Sequence, residues 1–182
     1  IKSANFNIKK DLITFNASLF DLDLPIKKDN QDLKELDILG KYKNDILDIN
    51  SKKDDIFLRV RDNQTTIKLD GYDIFYDTKY NDIHEKIGNI GIIGTKSNIV
   101  INNKNKILAD FYELNINKDR KFFYLEFEDS KISFTNKNNI IDIYAAKINE
   151  KFINTFANSN ILDGGKIDFF ANGTTKSISG KL

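Results

Sequence analysis

The chain has 182 residues with 28 basic and 27 acidic side chains, so its formal net charge is only +1. A chain with so small a net charge has no overall field to attract nucleic acid. The absence of Cys excludes a disulfide framework and a thiolate metal site. No run approaches the roughly 20 apolar residues of a membrane-spanning helix, and the length fits a single β-rich domain over residues 1–182.

The first clear elements lie in residues 54–77, where apolar and polar side chains alternate. This period of two is typical of half-buried antiparallel strands. A polar turn at 62–64 separates two strands, and Asp70-Gly71 predicts a hairpin that leads into a third. The apolar positions of the first two strands are Ile56, Leu58, Val60, Ile67 and Leu69.

The same alternation returns in the second half of the chain. We predict turns at Asp129-Ser130 and at Asn172-Gly173, at the spacing that a meander of strands produces. The apolar positions of these strands are Phe123, Leu125, Phe127, Ile132, Phe134, Ile167 and Phe169. The chain is therefore predicted to be all-β, a mainly antiparallel meander forming a curled open sheet or groove.

Two segments depart from the alternation and predict short helices. In residues 149–158, Phe152 and Phe156 are four apart and Asn149 precedes them as a helix cap. In residues 30–39, Leu33 and Leu36 have helical spacing. Residues 79–87, around the single His84, fit either a turn of helix or an irregular crossover.

No arrangement of residues predicts catalysis. His84 has no Cys or second His with which to hold a metal ion, and no pair of carboxylates is marked for acid and base roles. The glycines between Gly88 and Gly94 lack the Lys-Ser/Thr that follows a phosphate loop. We therefore expect no enzyme activity, no metal and no cofactor.

The apolar face of the strands remains as the candidate site. The chain has 14 Phe and no Trp, and the Phe side chains fall largely at alternating strand positions. Such a face forms either the sealed core of a sandwich or the inner wall of an open trough. The twelve strand residues named above, from Ile56 to Phe169, are the candidate lining for an apolar ligand.

The C-terminal third contains five parts in succession. They are a short helix at Asn149 to Phe156, an apolar-x-Gly-Gly turn at Leu162 to Gly165, an alternating strand at Lys166 to Ala171, a Gly-containing turn at Asn172-Gly173 and a closing strand at Ile178 to Leu182. This succession resembles the end of AsmA-like domains, found in bacterial envelope proteins related to TamB and YhdP. The strand openings at Ile38 and Ile92 are also similar to that family. The resemblance covers about 45 residues closely and about 140 loosely.

This resemblance implies a lipid-binding or lipid-conducting β-groove in the periplasm, with roles in phospholipid transport and outer-membrane biogenesis. The partners would be a phospholipid or another acyl-chain lipid and other envelope proteins, but not nucleic acid. Anchoring in the inner membrane, and all membrane contact, would come from regions outside this chain.

Two alternatives share the β architecture. One is a non-enzymatic structural or adhesive module with a sealed core, which contacts a protein partner. The other is a groove of the lipopolysaccharide-bridge type, which would carry an amphipathic cargo.

Overall fold

The computed structural model describes residues 1, 3–22, 26–28, 31–53, 55–75, 89–101, 105–157, 159–174 and 176–182. They form one sheet of sixteen strands, and one helix accompanies it within these ranges. The strands are β1 Ser3–Lys9, β2 Leu12–Phe20, β3 Ile26–Lys28, β4 Gln31–Asp32, β5 Glu35–Lys43, β6 Ile46–Ser51, β7 Ile56–Arg61, β8 Gln64–Leu69, β9 Asp73–Phe75, β10 Asn89–Ile101, β11 Asn105–Ile116, β12 Arg120–Phe127, β13 Ser130–Lys137, β14 Ile140–Asn149, β15 Lys166–Thr174 and β16 Ser177–Lys181. The helix, α1, spans Glu150–Ala157.

Thirteen of the strands form one continuous path, β1-β2-β5-β6-β7-β8-β10-β11-β12-β13-β14-β15-β16, which does not close on itself. Every neighbouring pair on it is antiparallel except β8 and β10, which are parallel. The prediction of an all-β, mainly antiparallel open sheet is therefore confirmed.

Tight hairpins connect most of these strands. Two-residue loops follow Lys9, Lys43, Arg61 and Lys137, and left-handed backbone at Asn44, Asp45, Asn138 and Asn139 matches the turn types that suit twisted strands. The polar turn predicted at 62–64 is confirmed as the Asp62-Asn63 loop. These four hairpin loops lie at one end of the sheet, the far end. The opposite end, which carries α1, is the near end.

The hairpin predicted at Asp70-Gly71 is wrong. β8 and β9 do not pair with each other but lie in succession along β10, both parallel to it. The Gly71 amide donates to the Thr95 carbonyl, and the Asp70 carboxylate accepts from the amide and hydroxyl of Thr95. These bonds tie the bend at Asp70-Gly71 to β10, so the chain continues in the same direction.

Three further sequence predictions are also corrected. The helix predicted at 30–39 is instead β4 and the first half of β5, because β5 pairs with both β2 and β6. The turn predicted at Asn172-Gly173 lies inside β15, where Asn172 pairs with Asp142 and with Ser179. The chain reverses between Thr174 and Ser177 instead. The predicted turn at Asp129-Ser130 is displaced by one residue, to Glu128-Asp129.

The helix predicted at 149–158 is confirmed as α1. The Asn149 side-chain oxygen accepts from the Phe152 amide at 2.9 Å, which is the expected N-cap bond. The Phe152 ring stacks on Phe127 with ring centroids 4.6 Å apart. Residues 79–87, with His84, lie outside the described residues.

Candidate functional site

One face of the sheet, called here the inner face, carries a continuous apolar row. Residues directly opposite each other on neighbouring strands point to the same face, so the register traces the row across the sheet. Eleven of its members are apolar, two are Gly and none is polar. This central row runs through Phe6, Phe15, Gly40, Ile49, Leu58, Ile67, Ile92, Leu114, Phe123, Phe134, Ile143, Ala171 and Gly180.

Two flanking rows lie two residues away along each strand. The near row can be followed in each half of the sheet, on either side of the parallel pair β8–β10. It includes Ala17, Ile38, Leu69, Tyr112, Leu125, Ile132, Ala145 and Phe169. The far row runs through Ile8, Ile13, Tyr42, Leu47, Val60, Thr65, Ile90, Ile116, Lys121, Asn136, Ile141, Gly173 and Ile178. At about 4.8 Å per strand, a row across thirteen strands is about 58 Å long.

The opposite, outer face is mixed, and two of its rows flank the central row. The row on the near side includes Leu39, Phe57, Ile93, Tyr124, Tyr144 and Phe170, of which Leu39, Tyr144 and Phe170 are about half exposed. The row on the far side is more polar and has Phe122 as its one large apolar member. Its members are Asn7, Thr14, Lys41, Asp48, Arg59, Thr66, Gly91, Asn115, Phe122, Thr135, Asp142, Asn172 and Ser179. The inner face therefore differs from the outer face in that its central row contains no polar side chain, whereas both outer rows mix polar and apolar residues.

Burial on the inner face decreases from the near row to the far row. In the near row Tyr112 and Leu125 are each 2% exposed, as expected for a sealed core. Eight successive members of the central row, from Ile49 to Ile143, are half-buried. In the far row Ile8 is 69% and Ile178 50% exposed on the two edge strands, whereas Ile141 is only 8% exposed and most other members are half-buried. The inner face is thus closed at the near end and partly exposed toward the far end, most of all on the edge strands.

All twelve predicted lining residues lie on the inner face. Leu69, Leu125 and Phe127 are buried and belong to the core, whereas the other nine are half-buried. Leu58, Ile67, Phe123 and Phe134 belong to the central row and Val60 to the far row. The remainder, Ile56, Ile132, Ile167 and Phe169, lie in or beyond the near row.

Sequence reasoning missed the lining that other strands contribute. Ile49, Ile92 and Leu114 complete the central row, and Phe6 and Phe15 extend it to the β1 edge. The alternation in β6, ILDINS, was a usable signal for Ile49. In β14 the signal is interrupted, because a bulge between Ala145 and Ile148 lets two residues three apart both point inward.

Buried carboxylates hold the near end together. Asp73, only 4% exposed, accepts from Lys106 Nζ and Asn98 Nδ2, each at 2.6 Å. Burial raises the pKa of Asp73, but the bonds from Lys106 and Asn98 outweigh burial and hold it below the ordinary value of 3.8. Asp55 has a similar environment, in which burial is outweighed by bonds from Lys28, Ser51 and Tyr72, so its pKa is also lowered. These groups are ion-paired supports and are not poised for proton transfer.

The described part of the chain contains no cluster of three or more His, Cys, Asp or Glu side chains able to hold a metal ion. Nor does any helix within the described ranges have the length and hydropathy needed to cross a bilayer. The chemistry that these residues offer is apolar contact along the inner face.

Comparison with protein-family models, with curated proteins and with solved structures finds no match to this chain. The likeness to AsmA-like domains therefore depends on the sequence motifs alone.

Proposed function

We propose that the inner face binds the acyl chains of lipids and that lipid moves along the central row. The observation that carries this proposal is the unbroken apolar row across thirteen strands, of which eight successive members are half-buried. A long apolar strip that stays partly exposed marks a surface that binds something.

The energetics favour an acyl chain as the ligand. Each CH₂ group removed from water contributes about 0.8 kcal/mol, so covering half of a 16-carbon chain contributes roughly 6 kcal/mol. The central row is apolar along its whole length, so an acyl chain that slides along it exchanges one apolar contact for another. Movement of this kind needs no hydrolysis and no closed pocket. The AsmA-like resemblance supports the same function and, with it, a periplasmic location and phospholipid as the cargo.

Strand β7 provides a matched pair of variants to test the proposal. Leu58 and Phe57 are adjacent and both half-buried, but Leu58 lies in the central row and Phe57 on the outer face. We expect wild type and Phe57→Lys to bind a fluorescent acyl-chain probe with similar affinity. Leu58→Lys should weaken probe binding at least tenfold, because it places a charge on the path of the chain.

Urea unfolding of both variants would establish that each remains folded. Native mass spectrometry of protein purified from a diderm bacterial host, with organic extraction, would identify co-purified lipid. The proposal fails if the wild type binds neither probe nor lipid, or if folded Leu58→Lys binds the probe as well as wild type does.

A second candidate function, a non-enzymatic structural or adhesive module, is favoured by the two edges of the sheet. β1 and β16 are the first and last strands of the path, and each pairs on one side only within the described residues. Every residue of both strands is exposed, so the other side of each can pair with another strand. The same probe experiment separates the two functions, since a structural module has no use for an open central row and would take up no acyl probe.

A further inference from the structure

The hairpin ends at the far end of the sheet carry an excess of positive charge. The residues concerned are the last paired residue of each strand at this end and the residues between them. Nine described residues of this set are basic and four are acidic. The basic ones, called here the basic rim, are Lys9, Lys10, Lys43, Arg61, Lys118, Arg120, Lys121, Lys137 and Lys176, and the acidic ones are Asp11, Asp45, Asp62 and Asp119.

Ion pairing is distributed unevenly between the two ends. Among the described residues, the only salt bridge of the basic rim joins Arg61 to Asp62 at 3.8 Å, between two largely exposed side chains. Away from the rim, eight of the fifteen described cations form salt bridges, as in Lys28–Asp55 at 2.5 Å, Lys52–Asp37 at 3.1 Å and Lys106–Asp73 at 2.6 Å. Within the described part of the chain, the far end thus keeps an excess of five positive charges, nine basic against four acidic residues, although the whole chain is nearly neutral.

The basic rim lies beside the open part of the inner face. At the β1 edge, Ile8, Ile13 and Tyr42 of the far row line an open cleft of about 340 Å³, and Lys10 lies at the same cleft together with Asp11 and Asp45. Lys121 is itself a member of the far row, opposite Ile116 and Asn136. Cationic side chains at the hairpin ends thus lie next to apolar side chains of the far row. A phospholipid has the matching arrangement, with its anionic phosphate next to its acyl chains.

The spacing of the rim fits an extended anionic surface better than a single headgroup. Successive hairpins are two strands apart, or about 10 Å, which is close to the Debye length at about 0.1 M salt. The one wider step is from the β7–β8 hairpin to the β11–β12 turn, where β10 intervenes and the separation is three strands, or about 14 Å. Neighbouring turns therefore reinforce one another's field, and the rim extends over most of the sheet's length of about 58 Å.

We propose that the basic rim docks the sheet, far end first, onto the phosphate headgroups of an anionic bilayer. Docking in this orientation places the far row at the surface of the leaflet, where acyl chains enter the inner face. The inference rests on the proposed function and specifies its lipid class as anionic phospholipid. It also assigns this chain a membrane contact of its own, where the sequence resemblance implied contact only through other regions. A nucleic acid would use the cations but would leave the adjoining apolar row without a role.

Two variants with the same change in charge test the proposal. The rim variant combines Lys10→Gln, Lys43→Gln, Lys118→Gln and Lys137→Gln. The control variant combines Lys34→Gln, Lys53→Gln, Lys151→Gln and Lys181→Gln, all exposed positions away from the rim. Binding is measured by co-sedimentation with vesicles of equimolar phosphatidylglycerol and phosphatidylcholine, and with vesicles of phosphatidylcholine alone.

We expect wild type and the control variant to bind the anionic vesicles at about 0.1 M salt and to be released at about 1 M, where the Debye length is near 3 Å. The rim variant should bind them at least tenfold more weakly, and none of the three should bind phosphatidylcholine alone. An equal loss in both variants would overturn the proposal, because net charge alone would then explain binding. Tighter binding of a labelled single-stranded oligonucleotide than of the anionic vesicles would also overturn it.

The acyl-probe assay keeps this result distinct from the proposed function. If the rim variant loses vesicle binding but keeps the probe, the rim acts in docking and the inner face in binding the chain. If wild type binds anionic vesicles but no probe, the proposed function fails, and with it the inference that the docked rim admits acyl chains.

Discussion

Phe15 of β2 lies directly opposite Gly40 of β5, and its ring occupies the space that a side chain at position 40 would take. Tyr112 and Gly94 repeat this relationship between β11 and β10. In both pairs an aromatic side chain covers a glycine on the inner face, which restores packing where the strand itself contributes none. The two glycines therefore serve the packing of the inner face.

Substitution of Gly94 by Ala should destabilise the protein by about 3 kcal/mol or more, as severe overpacking does. An added Cβ would overlap the Leu69 carbonyl oxygen, which is backbone and cannot rotate away, and it would also meet the Tyr112 ring. Gly40→Ala should cost about 1–3 kcal/mol, because the Phe15 side chain can move. Gly91→Ala is the control, since its added Cβ meets only the movable Asn115 side chain at 2.8 Å. Urea unfolding measures all three, and a Gly94→Ala variant as stable as Gly91→Ala would contradict this account.

Acidification should weaken the near end. Because the pKa values of Asp55 and Asp73 are lowered in the folded protein, their contribution to the free energy of unfolding is complete above about pH 4. This contribution is lost as the pH falls below about 4 and passes through the pKa values that the two carboxyl groups have in the folded protein. Asp73→Asn should cost about 1–2 kcal/mol at neutral pH, since Lys106 loses its charged partner. The variant should also lose less stability than wild type between neutral pH and about pH 3. Equal acid sensitivity in both proteins would rule out Asp73 as a contributor.

The attachment of α1 should depend on its cap and on one aromatic contact. Asn149→Ala removes the acceptor for the Phe152 amide and should cost about 1 kcal/mol, whereas Asn149→Ser keeps a capping oxygen and should cost less. Phe152→Ala removes the stacking on Phe127 and should cost about 2–3 kcal/mol. Hydrogen exchange would show the effect as faster exchange of the α1 amides in the variant than in wild type, with the amides of the central strands unchanged. Unchanged protection of α1 in Phe152→Ala would show that other contacts hold it.

The loop between β13 and β14 can be improved. Asn138 and Asn139 both have left-handed backbone, with φ of 53° and 65°. Glycine adopts this conformation without steric cost, so Asn139→Gly should raise the free energy of unfolding by up to about 1 kcal/mol. Asn139→Val should lower it, because a β-branched side chain is strained there. Thermal unfolding of both variants measures the difference, and a shift in the same direction for both would refute the turn assignment.

Much of the inner face was predictable because a β-strand alternates its side chains with a period of two. Leu58 and Val60 had to share one face of their strand, and so did Phe123, Leu125 and Phe127, whatever the strands paired with. The Asn149 cap and the following Phe spacing likewise identified α1 from local sequence. These features follow from backbone geometry over a few residues, which the sequence alone determines.

Pairing between distant strands decided the rest. Residues 35–39 belong to a segment with helical spacing, and Asn172-Gly173 is a good turn, but both became strand. Residues 35–39 pair with β2 and, from Ile38, also with β6, and Asn172-Gly173 pairs with β14 and β16. Local preferences of about 1 kcal/mol are readily outweighed by a ladder of backbone hydrogen bonds and the side-chain burial that accompanies it. Asp70-Gly71 formed no hairpin for a related reason, since its polar groups found partners on Thr95 of β10.

The basic rim is the clearest feature that only the tertiary structure revealed. The sequence distributes Lys along its whole length and yields a net charge of +1. Successive reversals of the chain bring one set of turns to the far end, where the cations lack close acidic partners, and bring other lysines beside Asp37, Asp55 and Asp73. The sequence determines which side of each strand is apolar because that is a property of neighbouring residues. Only the fold decides which charges meet, because an ion pair joins residues that the chain keeps far apart.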